Sequence, residues 1–503
     1  MTHNRVFSHC LICAFILVVG LGLAFVAPLL ASSQSLAAQS EVGEQVNAPE
    51  ATRYYVAKTG NGSDGLSWAK AFTKLQDALS AASSGDQIWV AKGVYTPGTN
   101  EIDFFDLVPG VALYGGFDTG DVVLTDRDWE TNLTVLSGDI GGDDFTDGNG
   151  VVSDTGNING DNAYHVVAAA FVTGSTELDG FTITAGQADG INFPSTNGGG
   201  FFCYGLGGGM CSPSLRNVNF SGNLASVGGA MYNDARDFGY SSPILINVTF
   251  SGNSADNHGG AMYNYGYNDG ISSPILINVT FSGNSADYGG AMYNYGNNGV
   301  SNPSLRNVNF SGNSADFDGG AMYNDGSASG TSSPSLSNVT FSGNSAGHDG
   351  GAMFNYGVDG TSEPEVRNSI LWNNKDNSGT GTITANIFNV SNNIKLTQSL
   401  VEDSGGSGSN WIGGSYVDGG GNIDSDPMFV TPINPSTAPS TTGNLRLQTG
   451  SPAIDAGENA YVSVSFDLDN KARVVDGNLD GTPVVDMGAY ETQIYYYLPL
   501  IFR

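Results

Sequence analysis

Positive charge is scarce in this chain. Lys and Arg number 17 against 49 Asp and Glu, leaving a formal charge of −32 over 503 residues. A surface so acidic repels nucleic-acid backbones and anionic membrane surfaces, which excludes nucleic acid as a partner. Metal cations and neutral ligands such as sugars are the natural counterparts. Charge of either sign is sparse, at 13% of residues, so solubility rests on Asn, Ser, Thr and Gly. Cysteine is scarce too. Cys10 and Cys13 sit in an N-terminal apolar segment and form no lipid-attachment box. Cys203 and Cys211, in "CYGLGGGMC", fit a local disulfide in an oxidising compartment or a pair of buried thiols. No His is near enough to make them a zinc site.

Long apolar runs are missing except at the start. Arg5 precedes an apolar run from about Leu11 to Leu30, and the small residues of "ASSQSLAAQS" follow. Residues 1–40 therefore read as a secretory signal with cleavage near Ala38–Ser40, an uncleaved anchor being the alternative. No later stretch is long enough to span a bilayer, so no transmembrane domain is expected after the signal segment. The apolar tail at 492–503, ending "YYYLPLIFR", suits a last strand or a sorting tail.

What the chain has in excess is glycine, 72 residues, about twice the usual share. It also has a repeat. Phe220, Phe250, Phe281, Phe310 and Phe341 recur every 29–31 residues. Asn223, Asn253, Asn284, Asn313 and Asn344 of "SGN" keep the same period. A second Asn column runs from Asn217 through Asn247, Asn278 and Asn307 to Asn338 and Asn368; a third closes "GGAMYN" at Asn233, Asn264, Asn294, Asn324 and Asn355. A fixed period near thirty marks a solenoid. Each unit holds two short β-like runs, "LINVTF" and "GAMYN", divided by Gly, Asn, Ser and Pro, so helical repeats do not fit. Two or three short strands per turn give one coil of a parallel β-helix, with neighbouring coils about 4.8 Å apart. Each residue then stacks on its copy. Phe and Val form inner columns, and Asn columns pass amide hydrogen bonds from coil to coil. One coil cannot bury its own apolar side, so the repetition is a folding device first. The Asn-x-Thr triplets at Asn247 and Asn278 belong to this ladder and read as structural rather than as glycan acceptors.

The pieces "FSGN" and "GGAM" resemble the repeats of polymorphic outer membrane proteins. "YYVAKTGNGSDGLSWAKAFTKLQDAL", "GDQIWVAKGVYTP" and "LDGFTITAG" resemble secreted right-handed parallel β-helix proteins of the pectate-lyase-like superfamily. "GSPAIDAGENA" with "VVDMGAYE" is similar to the choice-of-anchor Q region of such proteins. The resemblance implies an all-β fold: a single-stranded right-handed parallel β-helix with an N-terminal capping helix and a β-rich C-terminal region. The expected organisation is a linker at 41–53, the cap and first coils at 54–180, regular coils at 181–400 and C-terminal coils with the anchor-like region at 401–491. Within "AFTKLQDALSAASSGD", Phe72, Leu75, Ala78 and Leu79 share one helical face.

The superfamily includes polysaccharide lyases and hydrolases; a lyase of the pectate type needs calcium-binding carboxylates and a cationic base, Arg or Lys, near the sugar. Between residues 201 and 360 the only cationic side chains are Arg216, Arg236 and Arg306, and Arg216 and Arg306 occupy matching repeat positions. Asp256, Asp287 and Asp316 also share one position, but a spacing near 5 Å arises in any ladder and does not argue for a hydrolase. Repulsion at that spacing favours exposed corners, a bound cation being the alternative. His258 and His348 read as separate loop histidines about three coils apart. No catalytic residue is assigned. For metal, "DGNLDG" offers Asp476, Asn478 and Asp480 in the spacing that begins a calcium loop, with Asp486 nearby; Met487 stands at the twelfth position, so a complete EF-hand is excluded. Turn chemistry is the competing reading. For sugar, Tyr232, Tyr263, Tyr293, Tyr323 and Phe354 recur beside a Met column that alternation turns inward, so the rings face outward and, if exposed, suit sugar rings; packing of the aromatics on each other or under a loop is the competing reading. The sequence thus points to a secreted or cell-surface β-helix, non-catalytic, in adhesion, structure or contact with extracellular polysaccharide. A polysaccharide lyase or glycoside hydrolase is the alternative. No cofactor other than calcium is implied.

Overall fold

The computed structural model describes residues 51–493. The expected export signal and the tail from residue 494 lie outside the described residues. The chain winds as a parallel β-solenoid. Its strands stack into sheets of 18, nine and eight members.

One coil shows how the sequence dictates the winding. Ile275–Ser282 is rich in β-branched and aromatic residues and forms a strand. It pairs in parallel with Ile244–Ser251 on one side and Ser304–Ser311 on the other, placing Phe250, Phe281 and Phe310 in one file. The strand bends at Asn278, whose φ is +55°, a left-handed conformation that Asn tolerates better than other side chains. A short strand, Ser285–Ala286, follows, and then Gly289 at φ +63°. A Cβ there would lie 2.5 Å from the Met292 carbonyl oxygen, so only glycine fits. Met292–Tyr295 is the third face.

The inner columns fall where the repeat requires. Val248, Phe250 and Met262 are buried, as are Leu276, Val279, Phe281 and Met292. Successive Phe rings from Phe220 to Phe341 stack nearly parallel at 4.7–4.8 Å. Each buried Phe contributes about 1.5–3 kcal/mol of transfer free energy.

Two buried amide ladders hold the turns. In the first, Asn253 donates from both its backbone N–H (3.1 Å) and Nδ2 (3.0 Å) to Asn284 Oδ1, while Nδ2 also donates to the Phe220 carbonyl at 3.0 Å. Asn223, Asn284, Asn313 and Asn344 repeat the pattern. In the second, Asn233, Asn264, Asn294, Asn324 and Asn355 pass one Nδ2–Oδ1 bond to each next coil at 2.7–2.8 Å. Buried amides are stable here because the neighbouring copy satisfies them.

A helix, Leu75–Ala81, buries Leu75, Ala78 and Leu79 in the main core. It starts later than the periodicity suggests. Phe72 is held extended, its N–H on the Tyr55 carbonyl and its carbonyl accepting from Ala57. The solenoid runs on to Tyr416–Asp418, which pairs with Ile394–Thr397. The chain then folds back over the side of the coils in two antiparallel pairs, Phe429–Thr431 with Asn444–Leu447 and Val474–Val475 with Val484–Val485. Among the described residues no helix is long and apolar enough to cross a membrane.

Candidate functional site

The aromatic column is continuous. Phe202, Tyr232, Tyr263, Tyr293, Tyr323, Phe354 and Phe388 stack at 4.7–5.6 Å on successive coils. Met262 and Met292 point inward and the rings point the other way, as alternation requires. The exposure that sugar contact requires is missing, however: Tyr232, Tyr263, Tyr293, Tyr323 and Phe354 are only 2–9% exposed, as the packing reading has it. Stacking turns each ring face toward its copy, so no face is left for a sugar. The sides are covered as well. Tyr265, Tyr295 and Tyr356, two residues further along the strands, pack on one flank and Val227 and Tyr288 on the other. Burial raises the phenol pKa of Tyr232, Tyr263 and Tyr293 well above the ordinary range.

His258 and His348 are not isolated loop residues. His258, Tyr288, Phe317 and His348 form a second aromatic file at 5.0–5.5 Å along the coils. Tyr288 and Phe317 fill the two intervening coils, a link hidden in the sequence because the residue type changes. Asp256 and Asp316 are exposed and Asp287 is half-buried. Arg216 pairs with Glu177 at 2.9 Å, and Arg236 grips Asp234 through Nε and Nη2 at 2.9 and 2.8 Å. Cys203 and Cys211 are joined in a disulfide with Cα atoms 5.6 Å apart.

The four proposed calcium ligands do not converge. Asp476 accepts from the Asp480 and Gly481 N–H groups at 3.1 and 2.9 Å, and Asn478 Oδ1 accepts from Asp480 N–H at 2.9 Å. Their oxygens close a turn. Asp486 points into the C-terminal core, where it accepts from the N–H groups of Asp455 and Thr492. It lies in a buried charge cluster with Arg473, Asp467 and Glu491, all at most 3% exposed. Burial, then repulsion from Asp486, pushes the Glu491 carboxyl up to about 9; burial pushes Asp486 up to about 6. Among the described residues one group of three carboxylates does converge: Asp139, Asp143 and Asp144, with ligand oxygens within 4.8 Å of one another.

An open concave surface lies at the corner column. Asn247 Nδ2 donates to Asn217 Oδ1 at 3.1 Å, Asn278 Nδ2 to Asn247 Oδ1 at 3.2 Å, and Asn307 Nδ2 to Asn278 Oδ1 at 3.0 Å. Asn217 ends the row on Asp179 Oδ1 at 2.7 Å, and Asp179 is itself paired with Arg127. From Asn307 onward the folded-back C-terminal region covers the column. Asn307 donates to the Phe466 carbonyl, Asn338 to the Asp486 carbonyl, and Asn368 both donates to and accepts from the Glu458 backbone. Asn217, Asn247 and Asn278 stay uncovered. They line a groove of about 790 Å³ together with Trp129, Tyr490 and Arg446. Arg446 binds Asp469 in a two-point pair and lies over the Tyr490 ring at 4.7 Å. An Asn amide carries two N–H groups, and the ladder uses one on Asn247 and Asn278. The second is available to a ligand, as it is used by Phe466 at Asn307.

A family model described as the Chlamydia polymorphic membrane protein repeat matches residues 247–264. The match begins at corner Asn247 and ends at Asn264 of the second amide ladder. Among solved structures, the chain is similar to that of pectate lyase Pel9A, at 14% identity over 88% of this chain and 97% of that one, with a TM-score of 0.38. No curated protein matches the chain.

Proposed function

We propose that this chain is a surface-associated, non-catalytic contact protein that holds a neutral glycan along the corner groove. The observation that carries this reading is the uncovered run Asn217–Asn247–Asn278 in one groove with Trp129 and Tyr490. Its free amide N–H groups and the hydroxyls of Thr249 and Thr280 suit sugar hydroxyls, which donate and accept at many spacings. The aromatic rings of the groove suit the apolar faces of sugar rings. A peptide strand lying along the axis fits less well, since its same-side carbonyls repeat at about 6.6 Å against a corner spacing of about 4.8 Å. The chain's acidity disfavours polyanionic glycans. In this reading the disulfide suits an extracellular setting, helix Leu75–Ala81 closes the first coil, and the folded-back region serves attachment.

The test is a panel of neutral and acidic polysaccharides, read for binding and for shortened products. Saturable binding to a neutral member without product supports the reading. Product release moves the chain to the lyase or hydrolase class. Binding to none of the panel removes the glycan.

A further inference from the structure

The loop after strand Thr134–Ser137 contains three carboxylates that repetition does not explain. Asp139, Asp143 and Asp144 bring ligand oxygens within 4.8 Å of one another. No Lys, Arg or His forms a salt bridge with them among the described residues. Like charges at that distance repel unless something positive sits between them.

A second observation comes from a different segment. Asn162 is 1% exposed and lays its amide against the cluster: Nδ2 donates to Asp144 Oδ2 at 2.9 Å and to the Ala185 carbonyl at 2.9 Å. Both of its N–H groups are therefore used. Its Oδ1 is buried with no donor. A buried carbonyl oxygen without a donor is uncommon and costly, and a cation is a partner that needs no hydrogen.

We propose that Asp139, Asp143, Asp144 and the side-chain oxygen of Asn162 bind a divalent cation of the calcium type. The donor set is all oxygen, three carboxylates and one amide, with no nitrogen or sulfur, which selects a hard ion over zinc or copper. An irregular loop supplies the ligands, which suits the variable geometry of calcium better than the strict octahedron of magnesium. Asp143 is exposed, leaving solvent and the ion a route in. The remaining oxygens are already oriented. Asp139 Oδ1 accepts from the Gly142 N–H at 2.6 Å, and Asp144 Oδ1 accepts from the Asn159 N–H at 2.6 Å. The ion would tie the 139–144 loop to the 159–162 segment, two stretches outside the regular repeat.

The experiment is calorimetric titration of the folded chain with calcium chloride, paired with melting curves in chelator and in millimolar calcium. The expected result is saturable binding and a raised melting temperature. Asp143→Asn, at an exposed position, should weaken calcium at least tenfold with the far-ultraviolet circular dichroism spectrum in chelator unchanged. Asn162→Ala should also weaken it. Asp476→Asn with Asp480→Asn should leave it unchanged. No heat and no melting shift at millimolar calcium overturns the proposal. So does binding that Asp143→Asn leaves intact, or binding lost only in the Asp476 and Asp480 variant. Should Asn162→Ala fail to fold, Asp143→Asn decides alone.

Discussion

Asn307 and Phe466, 159 residues apart, meet at the boundary between the covered and uncovered halves of one ladder: Asn307 Nδ2 donates to the Phe466 carbonyl at 2.6 Å while also donating to Asn278 Oδ1. Beyond Asn307 the corner amides bind the chain's own backbone. Before it the same amides face a groove. One column thus ties the fold together where the C-terminal region reaches it and lines an open groove where that region does not.

The buried ladder should be costly to break. Asn284→Ala leaves the Asn253 side-chain and backbone donors without their acceptor and the Phe250 carbonyl without its donor. The expected loss is about 2–4 kcal/mol in chemical denaturation. Asn247→Gly, at an exposed corner whose left-handed φ glycine accepts, should cost under about 1 kcal/mol. Equal losses in the two variants would contradict the distinction between buried and corner columns.

The Tyr column should behave as packing. Tyr263→Ala removes a ring stacked between Tyr232 and Tyr293 and should lose about 2–4 kcal/mol. Tyr263→Phe keeps the stack and should change stability by less than about 0.5 kcal/mol. Neither should alter the affinity of a bound glycan beyond what unfolding explains, as measured by titration well below the melting temperature.

The C-terminal charge cluster predicts a pH dependence. The folded-state pKa values of Glu491 and Asp486 are raised, to about 9 and about 6, so between the unfolded values and these the folded chain holds more protons than the unfolded one. Their contribution to stability is therefore full in acid, below the unfolded carboxyl range, and is lost as pH rises, through about 6 for Asp486 and about 9 for Glu491. Glu491→Gln should flatten the fall in melting temperature between pH 5 and 9. An unchanged or steeper slope would contradict the assignment.

The repeat made the coils readable. Phe, Asn and Gly at one period name the inner file, the amide ladders and the tight turns, because stacking forces each residue to meet its own copy. Alternation also gave the direction of the Tyr rings. It did not give their cover, which depends on Tyr265, Tyr288 and Tyr295 arriving beside them. The groove was hidden for a different reason. Trp129, Asn247 and Tyr490 lie far apart in sequence, and only one belongs to the repeat. Asp486 was misplaced because nearness in sequence to "DGNLDG" suggested a shared cage, whereas the hairpin Val474–Val485 turns it into the core. Asn162 carries no local signal at all; its role depends on a fold that brings it to Asp144.

The proposed contact surface is the row of uncovered corner amides. Its most direct measurement is the affinity of a neutral polysaccharide, first identified on the panel, for Asn247→Gly with Asn278→Gly. These changes remove two amides from the groove lining and keep a backbone that glycine can adopt. At least tenfold weaker binding is expected, with the melting temperature within a few degrees of the unaltered chain. Undiminished affinity in a folded variant would place the contact elsewhere and remove the corner groove as the glycan site.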